Sequence, residues 1–327
     1  MPASITSIYA AWTELATTTY RQYASKTADN ISKHNALWRK LSQKGKIRME
    51  DGGLSIVTPL EYASNSTYQR YSGYDVLNIN AVDVLTAAEY PWRQAAVNVA
   101  ASGLELRTNM GSAKIINFTK SKITNAQHSF GNNLSIDLYS DGTAANQING
   151  LQALVSDAGT GTVGGINSST FSFWQNAVQS AAAPLQGGSA ITPSATTIES
   201  LMLPLWIRLT RQGDKPDMIV LSDDYFTFFE QSQTSLKRYA PEDNGAGGML
   251  AMKYKSADVF FDSSGGIPAA HGYFLNTDYL ELVVHSAANM EIMDELKSVN
   301  QDAVVIPILW QGNVVTSNRS LQGVLKA

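Results

Sequence analysis

A single apolar stripe constrains the middle of this chain. Leu106, Met110, Ala113, Ile116, Ile123, Phe130, Leu134 and Leu138 advance in steps close to 3.6 residues, and Lys114, Lys120 and Lys122 lie mostly off that stripe. The pattern predicts one helix over 103–138, which at 1.5 Å per residue would span roughly 50 Å. A helix of that length with one apolar face serves as a beam. Gly111 and Gly131 weaken it and mark where it can break or bend.

The segment before the beam has a different period. Leu54 to Glu61 and Glu89 to Ala101 read as long strands, the second alternating Ala95, Val97, Val99 and Ala101 against Gln94, Asn98 and Ala100. Between them runs a polar stretch carrying Tyr62, Tyr68, Tyr71 and Tyr74 around the turn-like Ser72-Gly73. Two strands alone are marginally stable in water. This excursion is therefore expected to pack on a neighbouring subunit; the competing reading is an ordinary hairpin laid over its own core.

Charge is scarce and unevenly placed. Charged residues make up 16 % of the chain, against a typical ~25 %, so surface must be hidden, most simply against other subunits. The first fifty residues carry eight Lys/Arg and three Asp/Glu, a net +5, while the remainder carries sixteen basic and twenty-five acidic residues, a net −9. Ile5, Ile8, Tyr9, Trp12, Leu15 and Ala16 form an amphipathic helical pattern that Ser4 is placed to cap. The basic stretch from Lys33 to Arg48 follows, with Leu37, Trp38 and Leu41 as an apolar anchor, then a turn at Asp51-Gly52-Gly53. Such an arm is expected to lie along something else. Its charge suits a polyanion without selecting a sequence, because no helix-turn-helix or RNA-binding motif accompanies it.

From Thr124 to Ile207 there is no Lys or Arg, and the only acids are Asp137, Asp141, Asp157 and Glu199. That segment cannot hold a nucleic acid backbone. Its Gly-rich runs, Gly159 to Gly165 and Gln186 to Ser189, read as loops around a short helix from Phe171 to Ala182. The pattern then becomes α/β. Ile198 to Arg211 reads as a helix interrupted by Pro204, Asp217 to Leu221 as a buried strand, and Ser222 or Asp223 as the cap of a helix through Tyr225, Phe228 and Phe229. After a loop at Gly245 to Gly248 come strands at Ala257–Phe261, Tyr273–Asn276, Leu280–His285 and Ala303–Leu309, a turn at Gly312-Asn313 and a last strand. The length, 327 residues, fits about two domains.

Catalytic signatures fail in turn. There is no cysteine, so thiolate metal sites, disulfides and a cysteine nucleophile are excluded. Gly159-Thr160-Gly161-Thr162-Val163-Gly164 matches a dinucleotide-binding string after a strand-like Leu151 to Val155. It lacks the acid ~20 residues on, since no Asp or Glu lies between Asp157 and Glu199. No P-loop, Gly-x-Ser-x-Gly or Ser-x-x-Lys occurs. His34, His128, His271 and His285 are scattered; Glu281 and His285 share a strand face; Asp223, Asp224, Asp258 and Asp262 read as cap or strand-end residues. No catalytic, cofactor-binding or metal-binding residue is assigned, and the chain reads as a non-enzyme. No apolar run of ~18 residues and no export signal is visible, so no membrane partner is expected and the protein is expected to be cytosolic when made.

Particular strings then recur in order: Asp51-Gly52-Gly53 leading to Thr58-Pro59-Leu60-Glu61-Tyr62, Tyr71-Ser72-Gly73-Tyr74, Leu138-Tyr139-Ser140-Asp141-Gly142, Asn149-Gly150-Leu151 and Phe173-Trp174. Pro216-Asp217-Met218-Ile219-Val220, Leu275-Asn276-Thr277, Asn300-Gln301-Asp302-Ala303 and Asn318-Arg319-Ser320-Leu321-Gln322-Gly323 follow. Together with the order of elements, they resemble the major capsid proteins of tailed double-stranded DNA bacteriophages, with the Hong Kong 97-type capsid fold. The resemblance covers nearly the whole chain.

The resemblance implies an α+β fold with an N-terminal arm at 1–52 and an extended hairpin, the E-loop, at 53–101. A peripheral domain with its spine helix at 102–150 and an axial domain at 151–285 follow. The chain then returns through the peripheral domain at 286–312, and a C-terminal strand at 313–327 rejoins the axial domain. It implies many copies arranged as hexamers and pentamers in an icosahedral head around packaged DNA, assembled in the host bacterial cytoplasm, with scaffolding, portal and decoration proteins as further partners. Tyr62, Tyr68, Arg70, Tyr71, Tyr74, Trp92 and Trp38 would then meet neighbouring subunits, and Lys33, Arg39, Lys40, Lys44, Lys46 and Arg48 would face the interior and its polyanion. Gly111, Gly131 and the hairpin base near Gly53 and Gly103 would bend during shell expansion. Some relatives weld their shells through a hairpin lysine; here no Lys lies between Lys46 and Lys114, so a non-covalent shell is expected. The alternatives are an encapsulin-like compartment and, from another class, a soluble α/β enzyme.

Overall fold

The computed structural model describes residues 35–108, 112–233, 251–262, 265–294, 296–297 and 301–327. The amphipathic pattern at Ile5 to Ala16, Lys33, Gly111 and the Gly245 to Gly248 loop lie outside the described residues.

The apolar anchor of the basic stretch folds as helix α1 (Ala36–Gln43), with Asn35 capping it by accepting from Trp38 N at 3.0 Å. Ala36, Leu37, Trp38 and Leu41 are buried in the chain's own core. The segment thus docks on its own body rather than lying free. Strand β1 (Ile47–Glu50) continues it, parallel to β12 (Leu280–Ile292), with Ile47 opposite Leu282.

Strands β2 (Ser55–Glu61) and β3 (Leu85–Pro91) form an antiparallel hairpin running from Ser55 opposite Pro91 to Glu61 opposite Leu85. Ile56, Leu60, Ala88 and Tyr90 alternate with exposed residues and are buried in the main core. The hairpin base therefore rests on its own subunit, and most of the connection at 62–84 is exposed. The single strand expected from Glu89 to Ala101 is instead two. After Pro91, whose ring nitrogen cannot continue a ladder, the chain turns through Trp92 into β4 (Arg93–Ser102), which joins β14 (Ala303–Thr316) in another sheet.

The predicted beam is present as α2 (Gly103–Thr108) and α3 (Ser112–Asp137). Ser102 and Glu105 open α2 with reciprocal bonds, Ser102 N to the Glu105 carboxylate at 3.0 Å and Glu105 N to Ser102 Oγ at 3.2 Å. Helix α3 has 26 residues, about 39 Å long, and runs through Gly131 without a break. Ile123, Ala126, Phe130 and Leu134 form its buried stripe, and the Phe130 ring lies 6.3 Å from Trp310 of β14.

Two sheets organise the rest. The five-stranded sheet runs β1-β12-β14-β13 (Leu296–Lys297), and β14 also pairs with β4. Strands β12 and β14 outlast their expected ends, because each has a long partner. The turn expected at Gly312-Asn313 is continuous strand: Gly312 lets β14 approach β12 so closely that a Cβ there would sit 2.5 Å from Val283 O. The Asn313 side chain accepts from Asn149 N and donates to Pro91 O, both at 2.8 Å, fixing the hairpin base.

The six-stranded sheet has the order β7 (Ala177–Ser180), β15 (Gly323–Lys326), β11 (His271–Leu275), β8 (Met218–Leu221), β10 (Ala257–Phe261) and β9 (Ala251–Tyr254). The strand-like Leu151 to Val155 is a helical turn, α4 (Leu151–Leu154), and the helix expected at Phe171 to Ala182 is a 3-10 turn at Ser172–Trp174 followed by β7. In β7, parallel pairing with β15 overrides local propensity. Helices α5 (Ile198–Leu209), which accommodates Pro204, and α6 (Asp223–Ser232) pack on this sheet through Leu201, Leu205, Leu209 and Phe229. The fold is α+β.

Candidate assembly surfaces

Between Leu54 and Trp92 the charged residues are Glu61, Arg70, Asp75, Asp83 and Glu89. The connection at 62–84 instead exposes Tyr68, Tyr71, Tyr74, Val76, Leu77 and Ile79, and the adjoining strand ends expose Leu54, Val57 and Leu85. It is held by its own polar groups. The Gln69 amide donates to Val76 O at 3.0 Å and accepts from Asn78 N at 3.3 Å, and Ser72 N donates to the Asp75 carboxylate at 2.8 Å. Apolar exposure of this extent marks an interaction surface.

The residues named for subunit contact divide in three. Tyr68, Arg70, Tyr71 and Tyr74 are exposed on the loop. Tyr62 stacks at 5.7 Å on Phe173, and Trp92 donates to Gly53 O at 3.0 Å with its ring 5.6 Å from His285. Trp38 is the correction: it belongs to the subunit's own core, because α1 turns its apolar side onto the body.

The basic residues find acids on the same chain. Lys40 reaches Asp258 at 2.9 Å, Lys44 reaches Asp217 at 3.0 Å and Asp278 at 2.8 Å, Lys46 lies 3.9 Å from Glu281, and Arg48 lies 3.0 Å from Glu50 and 3.5 Å from Glu281. Burial pulls the Lys44 ammonium down, but its bonds to Asp278 and Asp217 outweigh this and hold its pKa above the ordinary lysine value. Among the described residues, the basic stretch from Lys40 to Arg48 thus meets acids of its own subunit. Arg39 is half-buried on α1.

One buried charge had no role in the sequence reading. Arg319 is fully buried, and its guanidinium donates to Leu154 O at 2.6 Å, Ser156 Oγ at 2.9 Å, Ser168 Oγ at 3.0 Å and Trp174 O at 3.2 Å. Burial lowers its pKa to about 10, which leaves it protonated at neutral pH. It gathers loops from the cation-free stretch around one charge. The available signal was its position as the first cation after Lys297, with no charged residue between Asp302 and it.

Two of the features weighed for catalysis have structural contacts, and His34 lies outside the described residues. His271 Nε2 lies 2.9 Å from Asp157 and Nδ1 lies 2.8 Å from Ala269 O, so neither ring nitrogen is open to a nucleophile. The glycine string forms a small turn between β5 (Thr162–Val163) and β6 (Ile166–Asn167), where Gly164, at φ +58°, supports the hairpin: a Cβ there would meet Ala88 at 2.8 Å. Among the described residues no group of three His, Cys, Asp or Glu could hold a metal ion, and no helix is long and apolar enough to cross a membrane.

No family model and no curated protein matches the sequence. Solved structures do, and they define the class: the chain has the fold of tailed-phage capsid proteins, the Hong Kong 97 type. It is similar to a chain of the capsid asymmetric unit of cyanophage A-1(L), with a TM-score of 0.63 and 16 % identity over 87 % of this chain and 91 % of that one. A capsid chain of the native GTA particle gives a TM-score of 0.57 at 12 % identity, covering 87 % and 89 %. A chain of Mycobacterium phage Bobi gives 0.54 at 9 % identity, covering 90 % of each. At these identities the likeness is one of fold.

Proposed function

We propose that this chain is the major capsid protein of a tailed double-stranded DNA phage, a structural subunit that assembles as hexamers and pentamers into the icosahedral head around the packaged genome. The observation that carries this reading is the likeness of fold to capsid chains over nearly the full length of both partners. The exposed apolar loop at 62–84 supports it, because such a surface needs a cover and repeated identical subunits supply one. Scaffolding, portal and decoration proteins are the further partners, and assembly takes place in the host bacterial cytoplasm. On this reading Lys40, Lys44, Lys46 and Arg48 brace α1 and β1 against the subunit's own acids rather than holding DNA.

Electron microscopy of the expressed chain tests the proposal. Closed shells or rings of capsomers are expected. A discrete small particle at every concentration and salt condition would overturn it, and shells found natively filled with a protein cargo would reassign it to an encapsulating compartment.

A further inference from the structure

A groove of about 540 Å³ opens between the loop end of the β2–β3 hairpin and the 162–173 segment. Tyr62, Leu85, Phe171 and Phe173 form its apolar lining, and Asp83 and Glu89 add two carboxylates. The rings are clustered, Tyr62 at 5.7 Å and Phe171 at 6.2 Å from Phe173. Glu89 N donates to Gly164 O at 3.0 Å, which fixes the acid-bearing strand against the turn. No Lys or Arg lines the groove, and neither carboxylate makes an ion pair among the described residues. Aromatic faces beside unpaired carboxylates favour a guanidinium, which stacks on rings and bonds to carboxylates with its planar fork.

The same chain carries a fitting occupant. Arg70 is the only cation between Arg48 and Arg93. It is exposed, makes no ion pair among the described residues, and stands between Tyr68 and Tyr71, which are exposed as well. It does not line its own groove. We propose that Arg70 on the 62–84 connection of one copy docks in the Asp83–Glu89 groove at the loop end of the β2–β3 hairpin of the next copy. The contact joins two different patches, so it is head-to-tail and repeats around a closed ring. Arginine and tyrosine at its centre are the residue types that dominate interface energetics. This inference rests on the capsid reading and specifies one joint of that shell.

The absence of cysteine makes the joint directly testable. Shells of a Tyr71→Cys/Thr86→Cys variant, treated with a flexible bis-maleimide and run on a denaturing gel, are expected to give a ladder up to the ring number. Each single variant is expected to give no ladder. Arg70→Glu is expected to lower shell yield roughly tenfold or more, with thermal unfolding of the unassembled chain unchanged, and Asp83→Arg/Glu89→Arg in the same chain is expected to restore it. Wild-type-like shells in which the double-cysteine variant stays monomeric would overturn the docking and leave the capsid reading standing. A wild-type chain that forms neither shells nor rings would overturn both.

Discussion

Replacing Arg319 with methionine isolates what one buried charge contributes to the loops around it. Methionine keeps much of the side-chain shaft and removes the guanidinium. The two serine hydroxyls already donate elsewhere, Ser156 to Thr160 O and Ser168 to Gly161 O, each at 2.8 Å, so they lose an acceptor role only. The carbonyls of Leu154 and Trp174 lose the guanidinium donor that now reaches them. Leaving two buried acceptors unsatisfied costs roughly 2–6 kcal/mol, and relief from burying the guanidinium, itself worth several kcal/mol, trims that figure. Arg319→Met is therefore expected to destabilise by about 3 kcal/mol, with Tm falling by roughly 6 °C or more at the ~2–4 °C per kcal/mol of larger domains. Lysine has one nitrogen and cannot reach four acceptors in separate directions, so Arg319→Lys is expected to recover less than half of the loss. Calorimetry of the unassembled chain gives the magnitude, and limited proteolysis gives the place, with new cuts between 156 and 176. A methionine variant within ~1 kcal/mol of wild type, or more stable, would refute the reasoning and show that desolvation outweighs the four hydrogen bonds.

Four further outcomes are expected. Lys40→Met deprives the buried Asp258 carboxylate of its 2.9 Å partner and should cost about 1–3 kcal/mol in urea unfolding, with α1 becoming sensitive to protease. Gly312→Ala places a methyl against Val283 O and Trp310 and should cost about 1–3 kcal/mol in the same assay by overpacking. Burial raises the pKa of Tyr225 and Tyr254 to about 12, and raises Tyr90, Tyr139 and Tyr273 as well. Their contribution to stability is whole below the unfolded phenol value of about 10 and is lost as pH rises above it, so Tm should fall from about pH 10 upward, with phenolate absorbance lagging that of the unfolded chain. Heads boiled in denaturant should run as monomer, because the hairpin holds no lysine; a ladder of bands from untreated wild-type heads would sink that expectation.

The sequence displayed what depends on local period and concealed what depends on distant partners. The α3 stripe, the buried β8 and the helix α6 follow from spacing that any segment shows by itself. The side-chain cap expected at Ser222 does not form, because its hydroxyl accepts from His271 N at 3.3 Å. Strand β4 was not separated from β3, because the alternation from Ala95 to Ala101 masked the break that Pro91 signals, and the Asn313 bond that fixes the corner comes from far along the chain. Gly312-Asn313 carries turn chemistry, yet its glycine answers a close strand crossing. The exposed tyrosine loop was legible because its residues find no apolar complement nearby. The acid partners of Lys40 and Lys44 were not, since Asp217, Asp258 and Asp278 reach them only through tertiary folding.

The pairing of β4 with β14 also has a consequence on the ribosome. Ser102 lies opposite Ala303, so the first of these strands emerges some two hundred residues before its partner, roughly 10–40 s at bacterial synthesis rates of about 5–20 residues/s. Throughout that interval Val97, Val99 and Ala101 lack the neighbour that later covers them. A nascent chain in this state is a natural client for chaperones, and slower synthesis lengthens its exposure. Temperature-sensitive folding lesions should accordingly gather in β4 and β14, where a small loss of pairing prolongs a wait that is already long.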